Sequence, residues 1–543
     1  MSAPPPRRKL VAIGGGVAFA LATPPLDLFP AVFVGLAALS WLIDTAPRRR
    51  DAFALGWLWA TAAGLLGLRF VPLVIARFTP LGFAPSLLAL LLLALHQGLA
   101  WGLGATVGSL VRHRLGAPLE LAAALATMLA VSVPAVIPWT PAGVLAPWPW
   151  LLQLAEVLGE RGLSALFAAW AAGCLVGALD LRHSDQGRRR AAVRLLGTTL
   201  VGVGAVVFHG VATLEHWSRP APDTVRLGLV QSATPPLERW NSAKWAPNLS
   251  TLRGETAAAE NAGIDLAIWP EAAYPYPLRH DTRAMPRGQR EILGGAVDGP
   301  VLFGFIASAP PELMPSGEAR QDTFNSATIV RRDRSLAPAS DKVELLAFGE
   351  SVPFGESVPW LRRQFQRSGG LRPGLAPRAL ELERDGAPTL RLGVLNCFED
   401  TLPGHGRRVA RELAPNLLVN VTNDAWFVGT EAPELHLRLA TLRTIELRRD
   451  LVRAVNLGPS AWIDAGGRLR AVRREPTPGH LVVTPSLRDG SSTTYARFGD
   501  GTAWLILALA TLGAWRRRRD AATPRQTGRP ARWRVESPRR AGA

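Results

Sequence analysis

The chain has 543 residues, enough for two to four domains, and 48% of them are hydrophobic, with a mean hydropathy of +0.13. Lys and Arg number 61 against 43 Asp and Glu, a formal net charge of +18. A nucleic-acid partner would account for that charge, but the basic residues sit in short clusters between apolar runs, which argues against one.

The first ~215 residues are mostly long apolar runs, the hydropathy pattern of membrane helices. Candidate spans cover roughly 10–23, 26–44, 52–75, 84–110, 119–139, 162–181 and 192–214, with an eighth near 502–515. The first and last are short against the ~20 residues a bilayer core needs. A cleaved leader is rejected for the first, because Pro24-Pro25 does not resemble a small-residue cleavage site. Gly14-Gly15-Gly16 lies inside that span and reads as a helix-packing surface. Cys174, one of two cysteines, falls in a run of Ala, Leu and Gly that reads as membrane-buried.

The basic clusters occupy every second gap between spans: Arg7-Arg8-Lys9, Arg48-Arg49-Arg50, Arg112-His113-Arg114, Arg188-Arg189-Arg190 and Arg516 to Arg519. By the positive-inside rule both termini are cytoplasmic and the segment between spans seven and eight lies on the far side. The predicted organisation is a helical membrane domain over 1–217, an extracytoplasmic domain over 218–498 and a C-terminal span over 499–516. A basic tail over 517–543, rich in Pro and Gly, is expected to be disordered.

From Thr224 the pattern changes to short apolar strands, near 225–230, 266–269, 301–306, 327–331, 390–395, 417–421, 452–456 and 460–463. Helical patterns at 247–263 and 433–448 lie between them. Strands interleaved with helices predict a layered α/β domain, and about 270 residues is ample for its core.

Three residues at or near strand ends stand out. Glu271 follows an apolar strand in Trp269-Pro270-Glu271. Lys342 is one of only three lysines, with Lys9 and Lys244, in a chain that uses Arg nearly everywhere else. A compact ammonium with three donors suits a tight oxyanion site, where a planar guanidinium substitutes poorly. Cys397 ends the strand of 390–395, in Asn396-Cys397-Phe398-Glu399, and is the one cysteine outside the membrane runs, so no disulfide forms within that domain. Each alone is more often a surface charge or a small buried hydrophobe; together they form a nucleophile, base and electrophile set.

Other polar stretches fall in the same domain: Phe348-Gly349-Glu350, Asn423-Asp424-Ala425-Trp426, and Glu446 with Arg449. Singly, Asn423-Asp424 reads as a turn and Glu446 with Arg449 as a helix-surface pair. Together they form a polar floor at the strand ends, where α/β folds bind ligands. The nine histidines show no metal-ligand spacing, and His405 and His436 are expected to be solvated or on helix surfaces. No metal or cofactor motif is found.

The order Glu271, Lys342, Cys397 resembles the nitrilase, or carbon-nitrogen hydrolase, superfamily. The membrane spans, with Trp269-Pro270-Glu271, Lys342 and then Phe348-Gly349-Glu350, Asn396-Cys397-Phe398-Glu399, Asn423-Asp424-Ala425-Trp426 and Ile137-Pro138-Trp139, are similar to the apolipoprotein N-acyltransferases of the bacterial inner membrane. The resemblance implies a nitrilase-like αββα sandwich in the periplasm, no cofactor and a monomer. It implies ping-pong transfer of an acyl chain from the sn-1 position of a phospholipid, through a thioester on Cys397, to the N-terminal amine of an S-diacylglyceryl-cysteine apolipoprotein. Glu271 is then the base; Lys342 and the Phe398 N–H stabilise the oxyanion; Glu350 and Glu399 are supporting carboxylates. Trp240, Trp269, Asn423, Asp424 and Trp426 are the candidate substrate-binding residues, with Trp245 an alternative to Trp240. This chain departs from the pattern in Val343 to Ala347, where a proline is lost and Glu344 is added, and in Phe398, which replaces an aromatic hydroxyl. A membrane-tethered amidase and an inert lipoprotein-binding paralogue are the rival readings.

Overall fold

The computed structural model describes residues 6–313, 319–352, 357–358, 360, 363, 370–489 and 492–522. Eight helices build the N-terminal region: α1 (Pro6–Ala20), α2 (Pro30–Thr45), α3 (Arg49–Gly67), α4 (Val71–Phe78), α5 (Phe83–Leu115), α6 (Leu119–Ser132), α7 (Ala155–Asp180) and α8 (Gln186–Trp217). Small residues let them approach closely. A methyl on Gly16 of α1 would lie 2.0 Å from the Trp59 carbonyl oxygen of α3. Gly15 and Gly16 face inward, as packing requires, whereas Gly14 meets nothing.

By length and apolarity, α5, α7 and α8 can each cross a bilayer. The expected continuous span over 52–75 is broken. Pro72 opens α4, and α3 and α4 meet at a bend of 59°. Arg69, at the break, donates to the Pro24 and Leu66 carbonyls and pairs with Glu431 at 2.9 Å. Counted as one bent unit, α3 and α4 together are also long and apolar enough to cross, while α2 and α6 are shorter apolar helices. Eight full-length spans are therefore not seen, although a helix lies at each expected position. α8 exposes Leu200, Val201, Phe208 and Val211, and α5 exposes Leu88 and Leu92, as lipid-facing helices do. Cys174 is exposed on α7. The C-terminal helix, Gly501–Ala522, packs Ala503 and Leu507 against Met128 and Ala165. It extends past the expected end at 516, so 517–522 are helical; residues 523–543, with the disorder expected of them, lie outside the described residues.

Fifteen strands follow among the described residues. They are β1 (Leu227–Gln231), β2 (Leu266–Ile268), β3 (Leu278–Arg279), β4 (Val301–Ser308), β5 (Glu312–Leu313), β6 (Ala319–Arg320), β7 (Thr323–Val330), β8 (Ser340–Asp341), β9 (Ala379–Arg384), β10 (Ala387–Asn396), β11 (Leu417–Asn423), β12 (Leu451–Asn456), β13 (Ser460–Ile463), β14 (Leu469–Arg473) and β15 (Gly479–Val483). One sheet runs β15-β1-β2-β4-β7-β8, with β3 beside β4; the other runs β14-β13-β12-β11-β10-β9; β5 and β6 pair separately.

The sheets face each other across a core that includes Leu229, Ile268 and Ile329 from one and Val394, Val419 and Ala454 from the other. Helix α9 (Trp245–Glu260) covers the outer face of the first sheet, and helices Pro403–Leu413 and Ala432–Leu447 cover the second. The result is an αββα sandwich. Strands β1, β2 and β4 are mutually parallel, as are β10, β11 and β12, so the carboxyl ends of each set lie along one edge.

Buried ion pairs join the two regions. Arg443 of the 432–447 helix bonds Glu160 of α7 at 2.6 Å and Glu446 at 3.1 Å, and the Glu160 N–H, freed by the kink at Gly159, donates to Glu446. Glu446 is thus fully buried and paired with Arg443, not a surface partner of Arg449, whose guanidinium instead donates to the Pro415 carbonyl.

Candidate active site

Strand β10 delivers Cys397 at its carboxyl end in a left-handed conformation, φ 51°, unusual for a residue with a Cβ. A short 3-10 turn, Cys397–Thr401, begins there, so the Phe398 N–H falls among the early donors that such a turn cannot use. Two devices hold the turn. Asn420 on β11 donates to the carbonyls of Leu395 (2.9 Å) and Cys397 (2.8 Å). The buried Glu399 carboxylate accepts from the N–H groups of Asn396 (2.7 Å), Val343 (2.7 Å) and Glu344 (2.9 Å), tying the cysteine turn to the lysine loop.

Glu271 reaches the same edge from the end of β2. Its Oε1 accepts from Asn325 Nδ2 at 2.6 Å and from Lys342 Nζ at 3.1 Å; its Oε2 accepts from the Asn423 N–H at 3.0 Å. Lys342 is 1% exposed and also pairs with Glu350 at 2.7 Å. An ammonium has three donors, so two carboxylates leave one for another acceptor. The Phe398 ring lies 5.6 Å from Nζ. Asn325 bridges both carboxylates, its Nδ2 lying 2.8 Å from Glu350 Oε1.

Burial alone would depress the Lys342 ammonium, but the charges of Glu271 and Glu350 prevail and hold it well above the ordinary lysine value. Burial would raise Glu350, yet Lys342 keeps it below the ordinary value. For Cys397 burial dominates, Glu271 adds to it, and Lys342 only partly opposes them, so the thiol stands well above its usual range. The resting sulfur is therefore protonated and needs a base before it can attack.

Close backbone packing makes this arrangement possible. A methyl on Gly304 of β4 would lie 2.5 Å from the Ala272 nitrogen and 2.8 Å from Glu271 Cα. Gly304→Ala is expected to cost roughly 1–3 kcal/mol of stability and to lower turnover by displacing Glu271. Thermal denaturation together with turnover per folded molecule checks both.

The structure divides the remaining candidates. Trp240 is exposed, and its ring lies 5.8 Å from that of Trp426, which in turn lies 4.4 Å from Phe78 of α4, so an aromatic line runs from the broken helix to the site rim. Trp245 instead packs against Tyr276. Trp269 does not line a substrate site. It is fully buried beneath α9 and donates to Thr256 Oγ1. Asn423 orients Glu271 through its N–H, while its side-chain oxygen is held by Asn456. Asp424 is fully buried and bonds His436.

Both histidines expected at the surface are buried. His405 lies 3.5 Å from Glu399, and His436 bridges Asp400 and Asp424. The charge of Asp400, helped by Asp424, outweighs burial and Arg453 and raises His436 to about 9. A group of three or more His, Cys, Asp and Glu side chains able to hold a metal is absent among the described residues. A cavity of about 540 Å³ opens between α1, α3, α5 and the 130–140 segment on one side and Glu344 and 402–405 on the other; Trp59, Trp101 and Trp139 supply much of its apolar wall.

A nitrilase-like sandwich with a buried carboxylate, ammonium and thiol at one sheet edge defines the class, and residues 226–493 match the carbon-nitrogen hydrolase family. Residues 15–173 match the apolipoprotein N-acyltransferase N-terminal domain. The apolipoprotein N-acyltransferase of Bradyrhizobium diazoefficiens is 31% identical over 94% of this chain and 95% of its own length. That of Allorhizobium ampelinum is 32% identical over 93% and 94%, and that of Geobacter metallireducens 27% over 94% and 95%. The chain belongs to the apolipoprotein N-acyltransferase family, and with its apolar helices it is a membrane protein.

Proposed function

We propose that this protein N-acylates lipoproteins by two transfers through Cys397. In the first, Glu271 removes the thiol proton as sulfur attacks the sn-1 ester carbonyl of a phospholipid. The free N–H of Lys342 and the Phe398 N–H receive the oxyanion. Collapse breaks the ester C–O bond, the proton on Glu271 passes to the leaving alkoxide, and a lysophospholipid departs from a thioester. In the second, the α-amine of an S-diacylglyceryl-cysteine attacks the thioester, its proton returns through Glu271 to sulfur, and an amide forms. Glu350 keeps Lys342 charged throughout, and Glu399 holds the two loops together. Trp240 and Trp426 line the lipid's path to the thiol.

One observation carries this reading: an ammonium clamped between two carboxylates at the sheet edge that also carries a buried thiol, in a domain that follows a region of apolar helices. Tethering at the bilayer surface raises the effective concentration of lipid-borne substrates. The basic clusters support cytoplasmic termini and a periplasmic catalytic domain in the bacterial inner membrane. The set is complete within one chain, which supports a monomer.

Incubation with phospholipid and a diacylated lipopeptide should yield triacylated lipopeptide and lysophospholipid in equal amounts, measured by mass spectrometry. Release of free fatty acid with no triacylated product would favour the tethered hydrolase. Unchanged substrates would favour the inert paralogue.

A further inference from the structure

The helix Ala432–Leu447 carries a buried side chain that this scheme does not use. His436 Nδ1 lies 3.1 Å from Asp424 Oδ1, and its Nε2 lies 2.9 Å from Asp400 Oδ1. Both aspartates are fully buried, and the other Asp400 oxygen accepts from Arg453 on β12. A carboxylate can only accept, so a ring bonded to one at each nitrogen carries both protons. Two aspartates, an imidazolium and a guanidinium then sum to zero charge, which is how a buried group of this size is tolerated.

The two aspartates belong to different parts of the site. Asp400 lies in the 3-10 turn that starts at Cys397. Asp424 follows Asn423, whose N–H holds Glu271. The charge of Asp424 also reaches the thiol and opposes its ionisation. On the helix itself the neighbouring charges are engaged elsewhere: Glu434 with Arg474, and Arg438 with Asp27. The charges facing the ring are thus Asp400, Asp424 and Arg453, and Asp424 in turn acts on Cys397.

We propose that His436 is a positioning residue. By bonding Asp400 and Asp424 together it locks the turn that presents Cys397 to the turn that orients Glu271, and it offsets the aspartate charge beside the sulfur. This rests on Cys397 as the nucleophile, so its test includes a readout independent of any acyl donor.

Full-length protein in detergent is alkylated with iodoacetamide across a pH series, and labelling is read on the peptide containing Cys397, separately from Cys174. His436→Gln removes the cation and should move the Cys397 profile to higher pH. Asp424→Asn removes an anion and should move it to lower pH. In the acyl-transfer assay His436→Gln should lose roughly 10- to 100-fold in kcat, the usual cost of losing a group that orients a functional residue from behind, with little change in KM for phospholipid. Profiles that stay superposed on the parent's, or move in the same direction in both variants, overturn the proposal, as does a loss confined to KM. If His436→Gln fails to fold, Asp424→Asn decides alone: a lowered profile supports the charge offset and an unmoved one refutes it. Opposite shifts without any acyl adduct on incubation with phospholipid would overturn the acyl-transfer reading and leave this one standing.

Discussion

Lys342→Arg is expected to lower kcat by about 10²- to 10³-fold, the usual loss when one oxyanion donor is removed, while the protein remains folded. The charge is kept, so Glu271 and Glu350 retain a cationic partner and the penalty of an unpaired buried carboxylate is avoided. Geometry is what changes. Nζ sits 3.1 Å from one carboxylate and 2.7 Å from the other, in a space 1% exposed to solvent. A planar fork pairs well with one carboxylate edge but cannot hold two while pointing a third donor at the thiol's target. Single-turnover acylation separates this from binding: the acylation rate should fall and the apparent affinity for phospholipid should change little. Near-parental acylation would remove Lys342 from the oxyanion site.

Glu271→Gln is expected to lower the rate of thioester formation by about 10²- to 10⁴-fold, the span attributed to a positioned general base. An amide cannot take the thiol proton. It also cannot satisfy its neighbours. One oxygen of Glu271 accepts from Asn325 and Lys342, and the other from the Asn423 N–H. Whichever way the amide turns, its NH₂ faces a donor, so at least one buried bond is lost. The measurement is the rate at which the Cys397 acyl adduct appears after mixing with phospholipid. Acylation at the parental rate would mean that another group takes the proton.

The reactive residues were legible because their chemistry conflicts with their surroundings in the sequence. A lysine in an arginine-dominated chain and a cysteine at the end of an apolar strand are both visible without coordinates. The strands near 225–230, 301–306, 390–395 and 417–421 were legible for a related reason: they are buried on both faces, so their apolar runs are nearly continuous. Strands β9 and β14 carry Glu and Arg at exposed positions, and the runs that form them look like loops.

What stayed hidden depends on partners distant in the chain. Asn325 lies mid-strand and looks like a polar interruption until Glu271 and Glu350 appear beside it. His436 reads as a surface residue because Asp400 and Asp424 are 36 and 12 positions away. Trp269 erred the other way. Its place near Glu271 suggested a ligand contact, yet β2 ends at Ile268 and Pro270 separates the two residues, so the indole closes the core beneath α9 while the carboxylate meets Lys342. The break between α3 and α4 was signalled by Pro72, but hydropathy averages over such a residue. Its role becomes visible only where α4 meets the site, with Phe78 against Trp426 and Arg77 donating to the Val428 carbonyl.

The most direct test is intact-protein mass spectrometry after incubation with phospholipid alone, followed by peptide mapping. The account predicts a single fatty acyl addition on Cys397, discharged by a diacylated lipopeptide and absent from Cys397→Ala. A protein that stays unmodified with the donor present, or an acyl group carried at any other residue, would contradict it.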